Sequence, residues 1–176
     1  MKLSPIQEKF ILHWGEMGTR WGINRTVAQI HALLYVSPQA LHAEEIAKTL
    51  SVARSNVSTS LRELQGWGIA KIVHVLGDRR DHFESMTDVW EMFRVVFEER
   101  KRREIDPTLQ VLRECLVQSE KSGKEEALTR QRISNMLEFL ETMDAGFEQV
   151  RRMPTESLAK FMKTLGKILK TLGLMS

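Results

Sequence analysis

Apolar residues recur at every third or fourth position along most of the chain, which is the period of an amphipathic helix. The first such stripe starts after Ser4, with Pro5 suited to a first helical turn. We expect Gly15, Gly18 and Gly22 to weaken and then end this first helix, because glycine is a poor helix former.

Three more helices follow. One lies between a capping Asn24 and Ser37–Pro38, since the residue before a proline is driven out of helical geometry. A short helix at 43–50 and another at 53–65 are separated only by the tight turn Ser51–Val52. Two short helices joined by such a turn form a helix-turn-helix.

The hydrophobic period changes after this helix pair. Residues 69–76 are rich in β-branched and apolar side chains, residues 77–81 (GDRRD) are turn-like, and residues 82–86 alternate weakly. Two strands around a charged, glycine-containing turn predict a β-hairpin. A hairpin in this position is a wing. We therefore predict a mainly α fold with a winged helix-turn-helix whose β-wing has two strands.

No strand pattern returns in the second half of the chain. The predicted helices there span about 87–103, 106–121, 125–150 and 155–172. A polar stretch at 119–126 connects two of them. The apolar face of the last helix contains Leu158, Phe161, Met162, Leu165, Ile168, Leu169 and Leu172. Its lysines lie largely off that face.

The composition is that of a globular chain, with 176 residues of which 42% are hydrophobic and 28% charged. That length allows one compact domain or two small helical units. The single cysteine, Cys115, excludes an intrachain disulfide scaffold, and we expect it to be buried and inert. No apolar run has the length of a signal peptide or a membrane span, so we predict a cytoplasmic protein.

Positive charge is concentrated in two segments. The whole chain has 26 Lys and Arg against 23 Asp and Glu, a net charge of +3. Residues 51–80 alone contain five basic and two acidic side chains, and residues 150–176 contain six against one. This distribution predicts that an anionic partner binds at these two segments.

The second helix of the helix-turn-helix has the side chains that a DNA-reading helix needs. Its apolar positions Val57, Leu61 and Leu64 can dock on the domain, which leaves the other side for a major groove about 12 Å wide. Arginine pairs with guanine, asparagine with adenine, and serine or threonine with a base or a phosphate. The predicted DNA-binding residues of this helix are Arg54, Ser55, Asn56, Ser58, Thr59 and Arg62. The alternative is a solvated helical hairpin with a polar face.

The tip of the predicted wing adds Arg79 and Arg80, which can reach a minor groove or flanking phosphates. Asp78 and Asp81 can hold these arginines in ion pairs, and a charged turn is often simply solvated. We predict that both arginines contact the groove, with double-stranded DNA as the partner.

Several consecutive motifs resemble a known family. The segment HAEEIAKTLSVARSNVSTSLRELQGWGIAKIV, followed by GDRR, is similar to the winged helix-turn-helix of MarR-type bacterial transcription regulators. HWGEMGTRWGINRTVAQIHALLYVSP and GDRRDHFESMTDVWEMFRVV resemble the GbsR branch, whose members regulate osmoprotectant (choline and glycine betaine) genes. The resemblance covers about residues 4–103, and the remaining tail shares only its helical character.

The resemblance implies a homodimer that represses transcription, with terminal helices pairing the subunits and a small ligand altering DNA affinity in some members. It places DNA recognition on the helix and wing residues named above. We therefore predict a DNA-binding domain at 1–87 and a helical linker and dimerisation region at 88–176. The Lys-rich last helix is also compatible with core packing or with a membrane surface.

Aromatic side chains are the candidates for holding a quaternary ammonium ligand, because cation–π contacts favour tryptophan and tyrosine. The candidates are Trp14, Trp21, Tyr35, Trp67 and Trp90. Aromatic residues at helical spacing more commonly belong to a core, so ordinary packing is the alternative to a ligand cage.

Neither catalysis nor a metal or cofactor is predicted. The five histidines lack metal-ligand spacing, and the sequence has no phosphate-binding glycine loop, nucleophile elbow or HExxH motif. The predicted function is that of a sequence-specific DNA-binding transcriptional regulator. The alternatives are a helical adaptor that uses a winged-helix fold to bind protein, and a membrane-surface sensor, although stable membrane association is not expected.

Overall fold

The computed structural model describes residues 2–119 and 127–171. Three side chains of the last helix, at positions 159, 169 and 170, are not described. Residues 120–126 of the predicted polar connection therefore lie outside the described residues, as do Leu172 and the side chain of Leu169.

The first of two compact units ends at Val95 and combines helices with a small sheet. Its helices are α1 (Pro5–Arg20), α2 (Arg25–Val36), α3 (Ala43–Leu50), α4 (Arg54–Gly66) and the first part of α5 (Val89–Arg100). Its strands are β1 (Leu41–His42), β2 (Ala70–Val73) and β3 (His82–Ser85), which form an antiparallel sheet in the order β1-β3-β2. The predicted mainly α winged helix-turn-helix is confirmed, with a third strand that the sequence pattern did not indicate.

The helix starts follow the capping residues in the sequence. Ser4 and His42 each form a capping box, with Gln7 and Glu45 respectively. The Asn24 side chain accepts a hydrogen bond from the backbone at the start of α2. These bonds satisfy amide groups that the first helical turn leaves without partners, so they set where each helix begins.

Helix α1 continues past two glycines that were predicted to end it. The helix runs to Arg20, and Gly15 and Gly18 are buried within it. A Cβ atom added at Gly18 would lie 2.4 Å from the Cβ atom of Ala28 in α2. The prediction was wrong for Gly15 and Gly18, because these glycines permit the close approach of two helices, and it is right for Gly22. The turn falls only at Gly22, where φ is +76°.

The helix-turn-helix is fixed by its turn and by its buried side. Ser51 adopts a left-handed conformation with a φ of 54°, which reverses the chain between α3 and α4. Ile46 of α3 and Val57, Leu61 and Leu64 of α4 are at most 2% exposed. Full burial of such a side chain stabilises a fold by about 1.5–3 kcal/mol, so this apolar side anchors α4 to the domain.

Strand β1 is only two residues long and pairs with the wing. Leu41 lies opposite Phe83, and His42 lies opposite His82, both in β3. Strands β2 and β3 form the predicted hairpin, with shorter strands than the sequence pattern indicated. The wing is therefore hydrogen-bonded to the segment that leads directly into α3.

The second unit begins at Val96 and is helical throughout its described part. A π-helical turn (Lys101–Ile105) joins α5 to α6 (Asp106–Ser119), and α7 (Ala127–Arg152) and α8 (Thr155–Thr171) follow. The predicted break before Pro107 is wrong, because the chain stays helical there. The π-helical turn ends two residues before this proline, whose missing amide hydrogen removes one backbone hydrogen bond.

Lys101 and an aromatic pair hold helices of the second unit together. The Lys101 Nζ atom lies 2.6 Å from Asp106 Oδ1 and 3.1 Å from Asp144 Oδ1, and these carboxylates raise the pKa of the lysine. The rings of Phe97 and Phe147 stack with their centroids 3.9 Å apart. Within the described ranges, no helix has the length and hydropathy needed to cross a bilayer.

Candidate nucleic-acid interface

Helix α4 turns its polar side to solvent and its apolar side to the domain. The six predicted DNA-binding positions are all exposed: Arg54, Ser55, Asn56, Ser58, Thr59 and Arg62. On the opposite side, Val57, Leu61 and Leu64 are almost completely buried. The first turn of α4 contains no acidic residue, and its N-cap, Ala53, provides no side-chain hydrogen bond. Helix α4 itself therefore contributes no negative charge at its N-terminal end.

Local hydrogen bonds shape part of this exposed side. The Arg62 guanidinium donates to the Thr59 hydroxyl and to the Ser58 carbonyl, each at 3.4 Å. The Ser58 hydroxyl donates to the Arg54 carbonyl at 3.1 Å. Ser55 and Asn56 form no side-chain hydrogen bond within the part of the chain that the structure describes, so their polar groups are available to bases.

The two wing arginines have different surroundings. Arg80 Nε donates to both carboxylate oxygens of Asp78, at 2.9 and 3.0 Å. These bonds hold the pKa of Asp78 well below its usual range and raise that of Arg80. Arg79 is exposed and forms no ion pair in the described ranges, nor does Asp81, which was considered as a partner for the wing arginines.

Glu44 links the helix-turn-helix to the wing, and the sequence reasoning missed it. Its Oε1 atom lies 2.7 Å from Arg54 Nη1, and its Oε2 atom lies 3.9 Å from Arg80 Nη1. The three residues belong to α3, α4 and the β2–β3 turn. In the sequence, Glu44 is one of two acidic residues in the first turn of α3, a position that the helix dipole favours, so nothing there distinguishes it from Glu45.

These side chains border a groove of about 350 Å³ between α4 and the wing. Arg54, Arg62 and Arg80 are basic members of its lining, and Leu61 and Phe83 are apolar members. A groove with three guanidinium groups is suited to an anion, and a phosphate presents the oxygens that a guanidinium binds best.

The structure brings two of the five aromatic candidates into one pocket. Trp14 and Tyr35 border an apolar cavity of about 200 Å³ together with Phe10 and His31. The ring of Trp21 meets that of Trp14 edge-on, with centroids 6.3 Å apart. Trp67 and Trp90 are not among the residues that line the cavity. The remaining lining residues are Ala32, Val89 and Met92.

His31 is the polar group of this pocket. Trp14 Nε1 donates to His31 Nδ1 at 3.3 Å, and His31 Nε2 is buried with no hydrogen-bond partner among the described residues. Burial lowers the pKa of His31 to about 4. The ring is therefore neutral near pH 7, and because Nδ1 accepts, Nε2 carries the proton. The pocket offers aromatic faces, and one of its lining residues, His31, has an N–H group without a partner among the described residues.

The histidines and the single cysteine were the candidates for metal or redox chemistry. No group of three or more His, Cys, Asp or Glu side chains is arranged to hold a metal ion there. Cys115 was predicted to be buried, but it is only half-buried, because α6 exposes part of that side.

The fold is that of a MarR-type winged helix-turn-helix protein. Residues 21–81 match the model of the MarR family. Members of that family are transcriptional regulators and not enzymes, in agreement with the prediction from the sequence. No curated protein sequence matches the chain significantly.

Three solved structures were found to align with the chain. A crystal structure described as that of a transcriptional regulator is 20% identical, with a TM-score of 0.65, and the match covers 90% of this chain and 99% of that one. A transcriptional regulator from Thermotoga maritima is 18% identical, with a TM-score of 0.39 and coverages of 82% and 90%. An S. aureus MepR–DNA complex is 20% identical, with a TM-score of 0.36 and coverages of 77% and 92%.

Proposed function

We propose that this protein is a cytoplasmic, homodimeric transcriptional regulator that binds double-stranded DNA in a sequence-specific manner. The exposed polar side of α4 carries this proposal, because the helix is anchored by its apolar side and presents base-reading side chains to solvent. In this proposal α4 enters the major groove and the β2–β3 wing lies near the minor groove.

In the proposed DNA interface, some residues contact bases and others contact the DNA backbone. Asn56 is suited to bidentate contact with adenine, and Arg54 to guanine. Ser55, Ser58 and Thr59 add hydrogen bonds to bases or phosphates. Arg62, Arg79 and Arg80 supply affinity for the backbone, which positions the protein but carries no sequence information directly.

The exposed apolar side chains of the second unit support a homodimer. On α7 the exposed residues include Leu128, Met136, Phe139 and Met143, and on α8 they include Phe161, Met162, Leu165 and Ile168, at 37–62% exposure. Two reading units double the phosphate contacts and match a palindromic site, so a second copy of the chain is the partner that we propose for these helices.

The resemblance to the GbsR branch supports a repressor role. The residues behind it are the segments 13–38 and 77–96 quoted above. A dimer seated on an operator excludes other proteins from the same DNA. We propose that the protein represses its target genes in this way.

A binding selection with random duplex DNA tests the DNA-binding proposal. The wild-type protein is expected to enrich a palindromic site, to bind it as two chains per duplex, and to lose affinity steeply as salt rises. Asn56→Ala is expected to reduce discrimination at one base position of each half-site by about tenfold, because the adenine contact is lost. Asn135→Ala, the same change at an exposed position of α7, is the matched control.

Two results would contradict this proposal in different ways. Absence of duplex binding at low salt would favour the protein-binding adaptor. Binding with an unchanged base preference in Asn56→Ala would mean that α4 is not the reading helix.

The aromatic pocket is the site that we propose for an osmoprotectant-type effector. The rings of Phe10 and Trp14 stack at 5.5 Å, and Tyr35 lies 6.4 Å from Phe10, so several π faces border one small cavity. A quaternary ammonium group is attracted to such faces. The His31 Nε2–H donor is matched by an oxygen acceptor on the same ligand, such as a carboxylate or hydroxyl.

Calorimetric titration with glycine betaine and with choline tests the effector site. Tyr35→Ala is expected to weaken binding about tenfold through the loss of one aromatic face. Trp67→Phe, which changes an aromatic residue outside the cavity lining, is expected to bind like the wild type. Equal loss in both variants, or no binding of either ligand to the wild type, would rule out this pocket as an osmoprotectant site.

A further inference from the structure

We propose that Glu44 limits the affinity of the protein for DNA because it competes with DNA phosphate for Arg54 and Arg80. In the DNA-free protein its carboxylate occupies the place between the two guanidinium groups that a backbone phosphate takes in the complex. This inference rests on the proposed DNA-binding function, and it adds a residue that opposes binding to those that favour it.

The geometry places one carboxylate between the two elements that touch DNA. Glu44 Oε1 accepts from Arg54 Nη1 at 2.7 Å, and Glu44 Oε2 lies 3.9 Å from Arg80 Nη1. All three side chains are accessible to solvent, with exposed fractions of 60% for Glu44, 57% for Arg54 and 53% for Arg80. An incoming phosphate can therefore reach both arginines without a change in the fold.

Carboxylate and phosphate present similar oxygen pairs to a guanidinium group. The groove of about 350 Å³ is bordered by Glu44, Arg54, Arg62 and Arg80. A phosphate that enters it meets the arginines at the positions where Glu44 holds them, and it also meets the negative charge of Glu44. Binding there requires exchange of one anion for another.

The arginines of the interface differ in how far they are neutralised. Arg80 is bound by Asp78 as well as by Glu44, so it stays ordered when Glu44 is lost. Arg54 has Glu44 as its ion-pair partner in the described residues. Arg62 and Arg79 form no ion pair there. Loss of the Glu44 charge therefore frees Arg54 and adds one net positive charge beside the groove.

Glu44 is not needed to hold its own helix. The capping box at the start of α3 is formed by His42 and Glu45. The Glu44 ion pairs are exposed, and pairs of this kind contribute little to stability. A role in DNA binding explains the placement of this carboxylate better than a role in folding.

The competition acts on every duplex. On any duplex, phosphate must displace Glu44 from the arginines. The free energy of breaking these ion pairs is the same on the operator and on random sequence, because the broken contacts belong to the protein and not to the DNA. Glu44 therefore lowers specific and non-specific affinity by a similar factor.

Fluorescence-anisotropy titrations of the full chain test this proposal. The duplexes are a random sequence and the best site from the binding selection, each at several salt concentrations. Glu44→Gln is expected to bind random duplex about tenfold more tightly, with a log–log salt slope steeper by about 0.9, the value for one additional phosphate contact. A gain of similar size is expected on the selected site, because the same ion pairs are broken there.

Glu63→Gln is the matched control. It removes the same charge from α4 itself, at a residue that forms no ion pair in the described ranges, and its effect on random duplex is expected to be below about threefold. In an Arg54→Ala background, Glu44→Gln is expected to lose most of its effect. A general change of net charge would act equally in both backgrounds.

The outcomes separate this proposal from the one on which it rests. Wild-type protein that binds no duplex contradicts DNA binding itself. Wild-type protein that binds, with Glu44→Gln no different from Glu63→Gln, overturns the role of Glu44 alone. Weaker binding of Glu44→Gln to both duplexes also overturns it, since the carboxylate would then position the arginines instead of competing for them.

Discussion

Gly18→Ala is expected to destabilise the first unit by about 3 kcal/mol. Its new Cβ atom would lie 2.4 Å from the Cβ atom of Ala28, and neither atom can move without its backbone. The two helices must therefore separate, and overpacking of this kind costs about 1–3 kcal/mol, occasionally more. Urea unfolding followed by circular dichroism measures the loss.

The direction of the stability change distinguishes a close helix contact from an open helical position. In an open helical position, Gly→Ala stabilises by about 0.5–1 kcal/mol, because alanine loses less backbone entropy. Gly66→Ala is the matched control, since nothing lies within 4 Å of its added Cβ atom. Gly15→Ala is expected to fall between the two, because its Cβ atom meets the flexible side chain of Gln29 at 2.6 Å.

Ala28→Gly is expected to relieve the steric clash that Gly18→Ala creates. Combined with Gly18→Ala, it removes the opposing Cβ atom, and we expect it to recover most of the lost stability. Equal stability of Gly18→Ala and Gly66→Ala would show that α1 and α2 do not approach as closely as described.

Acidification is expected to destabilise the wild-type protein by about 2–3 kcal/mol more than a His31→Gln variant between about pH 7 and about pH 4.5. Burial lowers the pKa of His31 to about 4 from an ordinary value of 6.5. Below the ordinary value the unfolded chain takes up a proton that the folded chain does not. Stability is therefore lost as the pH falls through this window, and it is fully present above it.

His31→Gln is chosen because glutamine cannot titrate but can still accept the hydrogen bond of Trp14. The free energy of unfolding of both proteins is measured by urea titration at each pH. The contributions of the carboxylates are common to both proteins and cancel in the difference. His13→Gln, a change at an exposed histidine of α1, is expected to follow the wild type. Parallel curves for wild type and His31→Gln would contradict the buried, neutral state of His31.

The helix-turn-helix and its wing were predictable because their signals are local. Val57, Leu61 and Leu64 repeat at helical spacing within one short segment, and the exposed polar residues lie between them. The wing is indicated by a change in the hydrophobic period on either side of GDRRD. Strand β1 was missed because two residues are too few to show a period.

The remaining features depend on residues that are distant in the sequence. Glu44 is ten positions from Arg54 and far from Arg80, so only the fold brings them together. The aromatic pocket joins side chains of α1, α2 and α5. The two glycines of α1 were misread because glycine propensity says nothing of a neighbouring helix. In each case tertiary packing, and not local preference, decides the outcome.

His42 is both the last residue of β1 and the N-cap of α3, so it connects the sheet of the wing directly to the helix-turn-helix. Because β1 is hydrogen-bonded to β3 and α3 begins directly after β1, a displacement of the hairpin also displaces the start of α3. In the DNA complex that we propose, the contacts of α4 and of the wing are therefore expected to break together within each half-site.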